Sequence, residues 1–277
     1  METWQSQYGD LAKIIDYGKS VRGRTLRMLL VMKQRQQEMS IHPTLLMSGS
    51  THGDEYLNIE DRLPEEILRK SRNDGPVRDF LNQGGAFIFV PILNPDGYEA
   101  RTRENANGED LNRDWDVTPA GFKGFREIET KSLAEKIQAL TQSPYNLRIE
   151  MTVDYHCCVG AILYPWSYTK APLPPLDLAA HIQVSEIAKE ALDIGHGTTN
   201  DILGYMPVGT TKDYYYDHYG ALSFTFEGRY ESENMLLPKH VQWWEKTIAK
   251  IVDNAPFQAR TPNPVGQFFR IATGRWF

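Results

Sequence analysis

Short apolar runs rich in β-branched and aromatic side chains recur along the chain, bounded by Gly, Pro or Asn, at residues 26–32, 44–47, 86–92, 151–155, 161–164 and 222–226. Runs of that length with those boundaries predict strands, several of them buried. Residues 59–72, 127–140, 176–192 and 239–252 instead carry helical spacing. In the last of these, Val241, Trp244, Ile248 and Ile251 recur at three- and four-residue intervals, which sets them on one helix face. Strands alternating with helices predict an α/β fold whose sheet is covered on both sides.

A chain of 277 residues with 41% hydrophobic and 24% charged content can bury one sizeable core, and the Pro-bearing stretch from Lys170 to Pro175 is too short to link two domains. Residues 1–256 are therefore read as one domain. Beyond them, Pro262 and Pro264 interrupt a tail, 257–277, that Phe268, Phe269, Trp276 and Phe277 load with aromatics. Such a tail is expected to pack on the domain or on a neighbouring subunit, which would be a route to an oligomer. A net charge of −6 offers nucleic-acid phosphates no basic surface. No apolar run reaches the roughly 18 residues that a bilayer crossing needs. The first seven residues carry neither the basic nor the apolar region of a secretory signal, so a cytoplasmic location is expected. The only cysteines, Cys157 and Cys158, are neighbours that can cross-link nothing distant. They could be read as a metal or redox pair, but metal thiolates usually come as spaced pairs, and buried, reduced packing residues are expected instead.

Candidate chemistry begins just after the run at 44–47, in Ser-Gly-Ser-Thr-His52-Gly-Asp-Glu55. Alone, His-x-x-Glu is common by chance and reads more readily as a polar surface turn than as a metal site. His156 changes that reading, because it ends another apolar run, Val153-Asp154-Tyr155-His156, and the carboxyl ends of strands in α/β sheets gather into the ligand-binding crevice. Two imidazoles and one carboxylate around an open fourth position form the ligand set of a catalytic zinc. A long polar loop from Arg101 through Arg103, Asp110, Asn112 and Arg113 to Trp115 follows the turn Asn94-Pro95-Asp96-Gly97, and long loops in compact domains are disproportionately functional. Ser223-Phe224-Thr225-Phe226-Glu227 is an alternating strand that ends in a carboxylate able to act as a general base near a metal.

These four separated motifs, in this order, resemble the zinc metallocarboxypeptidase family, which includes pancreatic carboxypeptidases A and B and bacterial murein peptide amidases; they span about two-thirds of the chain. The resemblance implies a mixed, mostly parallel twisted sheet and one Zn2+ per chain held by His52, Glu55 and His156, with Asp110 orienting the first histidine. It implies that Asn112 and Arg113 grip a substrate's terminal carboxylate, a task that suits a bidentate guanidinium. Arg103, with Arg101 as its nearby competitor, would stabilise a developing oxyanion. Glu227 would be the general base, and Tyr205 would close over bound substrate. Tyr214, Tyr215 and Tyr216 fall outside the pattern and are expected to pack or to line a rim. The peptide bond between Cys157 and Cys158 is expected to be cis.

The chain departs from the family's digestive members at its start. Gly18 to Arg24 resembles the entry into the catalytic domain itself, so no inhibitory pro-segment is expected. Lys212 occupies the position that in the family meets the substrate's C-terminal side chain. If it points inward, acidic C-terminal residues are the expected preference; if the loop shifts by a residue, it is a solvated cation. The implied reaction is hydrolysis of a peptide or peptide-like amide bond beside a free C-terminal carboxylate. A murein peptide amidase, an N-acyl amino acid deacylase and a non-catalytic binder of C-termini are the alternatives.

Overall fold

The computed structural model of the protein describes residues 1–33, 41–142, 144–229 and 236–253. The aromatic tail lies outside the described residues. The strands are β1 (Ala12–Lys19), β2 (Thr25–Met32), β3 (His42–Gly49), β4 (Ala86–Val90), β5 (Leu147–Cys157), β6 (Ala161–Tyr164), β7 (Gly195–Thr198) and β8 (Leu222–Gly228). They form one sheet in the order β1-β2-β4-β3-β5-β8-β6-β7. Pairing is parallel through β4-β3-β5-β8 and again at β6-β7, and antiparallel at β1-β2, β2-β4 and β8-β6. The sheet is thus mixed and mostly parallel.

Helices α1 (Glu2–Gln7), α2 (Ile59–Lys70), α3 (Pro76–Asn82), α4 (Pro95–Ala100), α5 (Ile128–Leu140), α6 (Pro175–Leu192), α7 (Thr199–Leu203), α8 (Thr211–Tyr219) and α9 (Leu237–Asp253) fill the connections. Alternate side chains of each strand enter different cores. Leu29, Val31, Leu45, Met47, Phe87 and Phe89 pack with α2, α3, α6 and α9. Met28, Leu30, Leu46, Ile88 and Val90 pack with α5 and α8 on the other face. Fully buried side chains on both faces explain why the central strands read as continuous apolar runs.

Strand β5 contains an irregularity that positions the site. Its register against β3 passes from Thr44 opposite Ile149 to Leu45 opposite Met151, so Glu150 is an extra residue. A bulge of this kind exchanges the faces that following side chains point to. Leu147 and Ile149 accordingly lie in the α5 and α8 core, whereas Met151, Val153 and Tyr155 lie in the opposite one. Thr152, Asp154 and His156 therefore face the α8 side. There the carboxyl ends of β3, β5 and β8 turn polar, through Ser48, Asp154, His156, Thr225 and Glu227.

Candidate active site

His52 stands in the turn that leaves β3. Gly53 follows because a Cβ at that position would meet the backbone carbon of Gly97 at 2.0 Å, so the turn can only press against α4 without a side chain. His52 Nδ1 lies 2.9 Å from Glu55 Oε2 and 3.0 Å from His156 Nδ1, and His156 Nδ1 lies 3.0 Å from the same Glu55 oxygen. All three side chains are buried.

The outer nitrogens settle what this triangle requires. His52 Nε2 is 2.9 Å from Asp110 Oδ1, and His156 Nε2 is 2.8 Å from Asp154 Oδ2. Carboxylates only accept, so each Nε2 carries the proton and each neutral ring turns a bare Nδ1 inward. Two lone pairs and a carboxylate oxygen then converge, an arrangement that calls for positive charge. The same convergence of acceptors also attracts protons. Burial would raise the Glu55 carboxyl, but hydrogen bonds with His156 and His52 hold it well below the ordinary carboxylate range. Burial disfavours a charged His156, yet Asp154 and Glu55 outweigh it and raise its proton affinity. Two neutral imidazoles and one carboxylate fit Zn2+, whose preferred ligands are of these types.

Asp154 went unassigned from sequence. It accepts from Ser48 Oγ at 2.7 Å and from Thr51 Oγ1 at 3.0 Å, which fixes it against His156. Its trace in the sequence is an acid inside an apolar strand, two residues before a candidate ligand and so on the same face.

Glu227 is the register partner of His156 on the parallel strand β8, so both side chains leave the same face of the sheet. Burial raises its carboxyl pKa above the ordinary value. Arg103 Nη1 donates to Glu55 Oε1 at 3.1 Å, and its Nη2 to Asp110 Oδ2 at 2.9 Å. Arg101 instead caps α4 in a left-handed conformation and is exposed. Of the two arginines, only Arg103 reaches the ligand cluster. Asn112 is buried, with its Oδ1 accepting from Thr211 N at 3.0 Å, and Arg113 is half-buried beside it, donating to the Asn112 carbonyl at 2.7 Å. Tyr205 is 48% exposed, free of the packing that holds Tyr214, Tyr215 and Tyr216 in α8.

Lys212 points inward. Its residue is 2% exposed, and Nζ donates to Ser167 Oγ at 2.6 Å and Thr199 Oγ1 at 2.9 Å. Ser167 in turn donates its backbone N–H to the Asp213 carboxylate at 2.9 Å. Burial lowers the Lys212 pKa, while Asp213 and Glu227 oppose the shift and Arg113 adds to it. The ammonium is therefore partly satisfied within the protein and is not a solvated cation.

The cysteines differ from expectation. The bond between Cys157 and Cys158 is cis, as the resemblance implies, but the pair is not buried: Cys157 is half-buried and Cys158 is exposed. Cys157 packs against the apolar core at the end of β5, whereas Cys158, past the strand end, has no such cover. Cys157 contributes through its backbone, donating its N–H to Glu55 Oε2 at 3.2 Å.

Because Asp110 fixes both His52 and Arg103, Asp110→Ala is expected to weaken zinc binding about 10- to 100-fold, read by competition with a chromophoric chelator. An unchanged affinity would mean that His52 is oriented by other contacts.

A family model described as zinc carboxypeptidase matches residues 1–253. A carboxypeptidase of Arabidopsis thaliana is 26% identical over 250 residues, covering 82% of this chain and 48% of that protein. An inactive metallocarboxypeptidase of Ajellomyces capsulatus is 27% identical over 205 residues, covering 63% and 33%. The chain thus spans between a third and a half of the length of these relatives. In fold it is similar to bovine thrombin-activatable fibrinolysis inhibitor, solved with a tick carboxypeptidase inhibitor, at a TM-score of 0.75 and 19% identity over 92% of this chain and 95% of that one. Since the family match runs through every described strand and all three converging ligands, the chain belongs to the zinc carboxypeptidase family.

Proposed function

We propose that the protein hydrolyses a peptide or peptide-like amide bond beside a free C-terminal carboxylate, with Glu227 as general base. The observation that carries this reading is the placement of Glu227 in register with His156, on the face where His52 and Glu55 converge. Zn2+ held by those three ligands supplies a Lewis acid for the scissile carbonyl and lowers the pKa of a water. Glu227 takes the water's proton and returns it to the leaving amine. Arg103, already drawn to the ligand cluster by Glu55, faces the negative charge that develops on the carbonyl oxygen. Asn112 and Arg113 hold the terminal carboxylate, and Tyr205 closes over the substrate. A mass-spectrometric screen of a C-terminally diverse peptide library, with murein tripeptide and N-acyl amino acids included, tests the reaction and separates it from amidase and deacylase activity.

The named inactive relative favours one rival, a binder of C-termini that does not cut. Zinc-dependent hydrolysis of any acyl-amino acid excludes it.

Lys212 supports a preference for an acidic C-terminal residue. An ammonium has three donors, and Ser167 and Thr199 take two of them. Among otherwise identical peptides, C-terminal Glu is expected to be cut roughly tenfold faster than Leu in kcat/KM. Lys212→Glu should shift the preference toward Lys or Arg. Equal rates for Glu and Leu, or an unmoved preference in the variant, would place the specificity pocket elsewhere.

A further inference from the structure

Along the carboxyl edge of the sheet, Lys212 lies with Ser167 and Thr199, which follow β6 and β7, and the candidate metal ligands lie over β3 and β5. On the far side of those ligands, between the turn after β3 and helix α4 after β4, is a cavity of about 400 Å³ lined by Gly53, Asp54, Tyr56, Tyr98, Glu99 and Arg101. If the reading above holds, a substrate whose C-terminal residue lies toward Lys212 extends its acyl side toward this cavity. The proposed catalytic and specificity residues do not line it.

The lining has a definite chemical character. The rings of Tyr56 and Tyr98 meet edge to face, with centroids 5.1 Å apart. Two carboxylates, Asp54 and Glu99, accompany one guanidinium, Arg101, which leaves the lining one charge negative. Asp61 adds negative potential behind Tyr56; together with burial, which acts most strongly, it keeps the phenol neutral. An anionic group would meet net repulsion here, and an apolar one would strip water from carboxylates without replacing it. A cation meets the carboxylates favourably, and the electron-rich tyrosine rings suit it better than they suit an anion.

We propose that this cavity is a subsite for a cationic group, an ammonium or guanidinium, on the acyl side of the scissile bond. The proposal rests on the hydrolytic reading, and the experiment separates the two. Peptides ending in the same acidic residue would carry Lys, norleucine or Glu at the first, second or third position before the scissile bond. At one of these positions Lys is expected to exceed norleucine about five- to thirtyfold in kcat/KM, with Glu lowest, and added salt should erode the advantage. The exposed pair Asp54→Asn and Glu99→Gln should abolish that advantage while leaving turnover of the norleucine peptide intact. Hydrolysis that ignores the upstream residue, or a Lys advantage that survives in the double variant, would overturn the subsite and leave the hydrolytic reading standing. If no peptide is cut, the hydrolytic reading fails, and anisotropy of the same peptides, fluorescently labelled, decides the subsite alone. Tighter binding of the Lys peptide that is lost in the double variant would uphold it, and equal binding would overturn it.

Discussion

Glu227→Gln is expected to keep its zinc and lose hydrolysis by about 10²- to 10⁴-fold in kcat. The amide preserves the volume at the end of β8 and changes only the ability to take a proton. Metal content measured beside kcat separates lost chemistry from a damaged site. The wild-type pH profile carries a matching expectation. The base must be ionised to work, so kcat/KM should fall as pH drops through its pKa, which burial raises and the zinc charge lowers. Glu227→Gln should remove this acid limb from whatever turnover remains. A variant that turns over near the wild-type rate would remove Glu227 from the mechanism.

Stripping zinc should have a comparable effect, reducing hydrolysis to background, with about one equivalent per chain restoring it. The three inward-facing acceptors repel one another until a cation lies between them, so stability should respond as well. At free zinc a thousand times its Kd, linkage predicts about 4 kcal/mol of added stability for the loaded protein. Thermal unfolding with and without chelator reads this directly. His156→Ala should abolish both the activity and the zinc-dependent rise in Tm. Activity that resists exhaustive chelation, or restoration that needs two equivalents, would contradict a single catalytic zinc.

Much of this arrangement is legible in the sequence where burial and chemistry coincide. The apolar run at 26–32 lies wholly within β2, and 86–92 overshoots β4 only because Pro91 and Ile92 continue the apolar composition after a proline has ended the ladder. His52, Glu55 and His156 stand out as polar residues at strand ends, and they do converge. Strand β1 is hard to read because Lys13, Asp16 and Lys19 interrupt it, as suits an edge strand, and β7, Gly-His-Gly-Thr, has no apolar side chain at all. Helix α8 contains Tyr214-Tyr215-Tyr216, a run with strand propensity that packing converts to helix. Arg103 and Arg101 cannot be separated by spacing alone, because the choice depends on where the chain turns after α4. Asp154 is visible only once His156 is taken seriously as a ligand.

The extra residue at Glu150 makes the site depend on counting. Beyond that bulge, every second residue of β5 faces the side where the candidate metal ligands gather, and His156 is reached six positions later. Deleting one residue between the two would leave composition and strand propensity nearly unchanged, yet it would exchange the environments of Tyr155 and His156. An imidazole would enter the apolar layer against Phe226 and Trp244, and a phenol would take its place beside Glu55. Substitutions along this strand can be judged one at a time by size and polarity. Insertions and deletions obey a different rule, parity, and descent from a working ancestor is therefore expected to hold the spacing from Glu150 to His156 even where the intervening side chains drift.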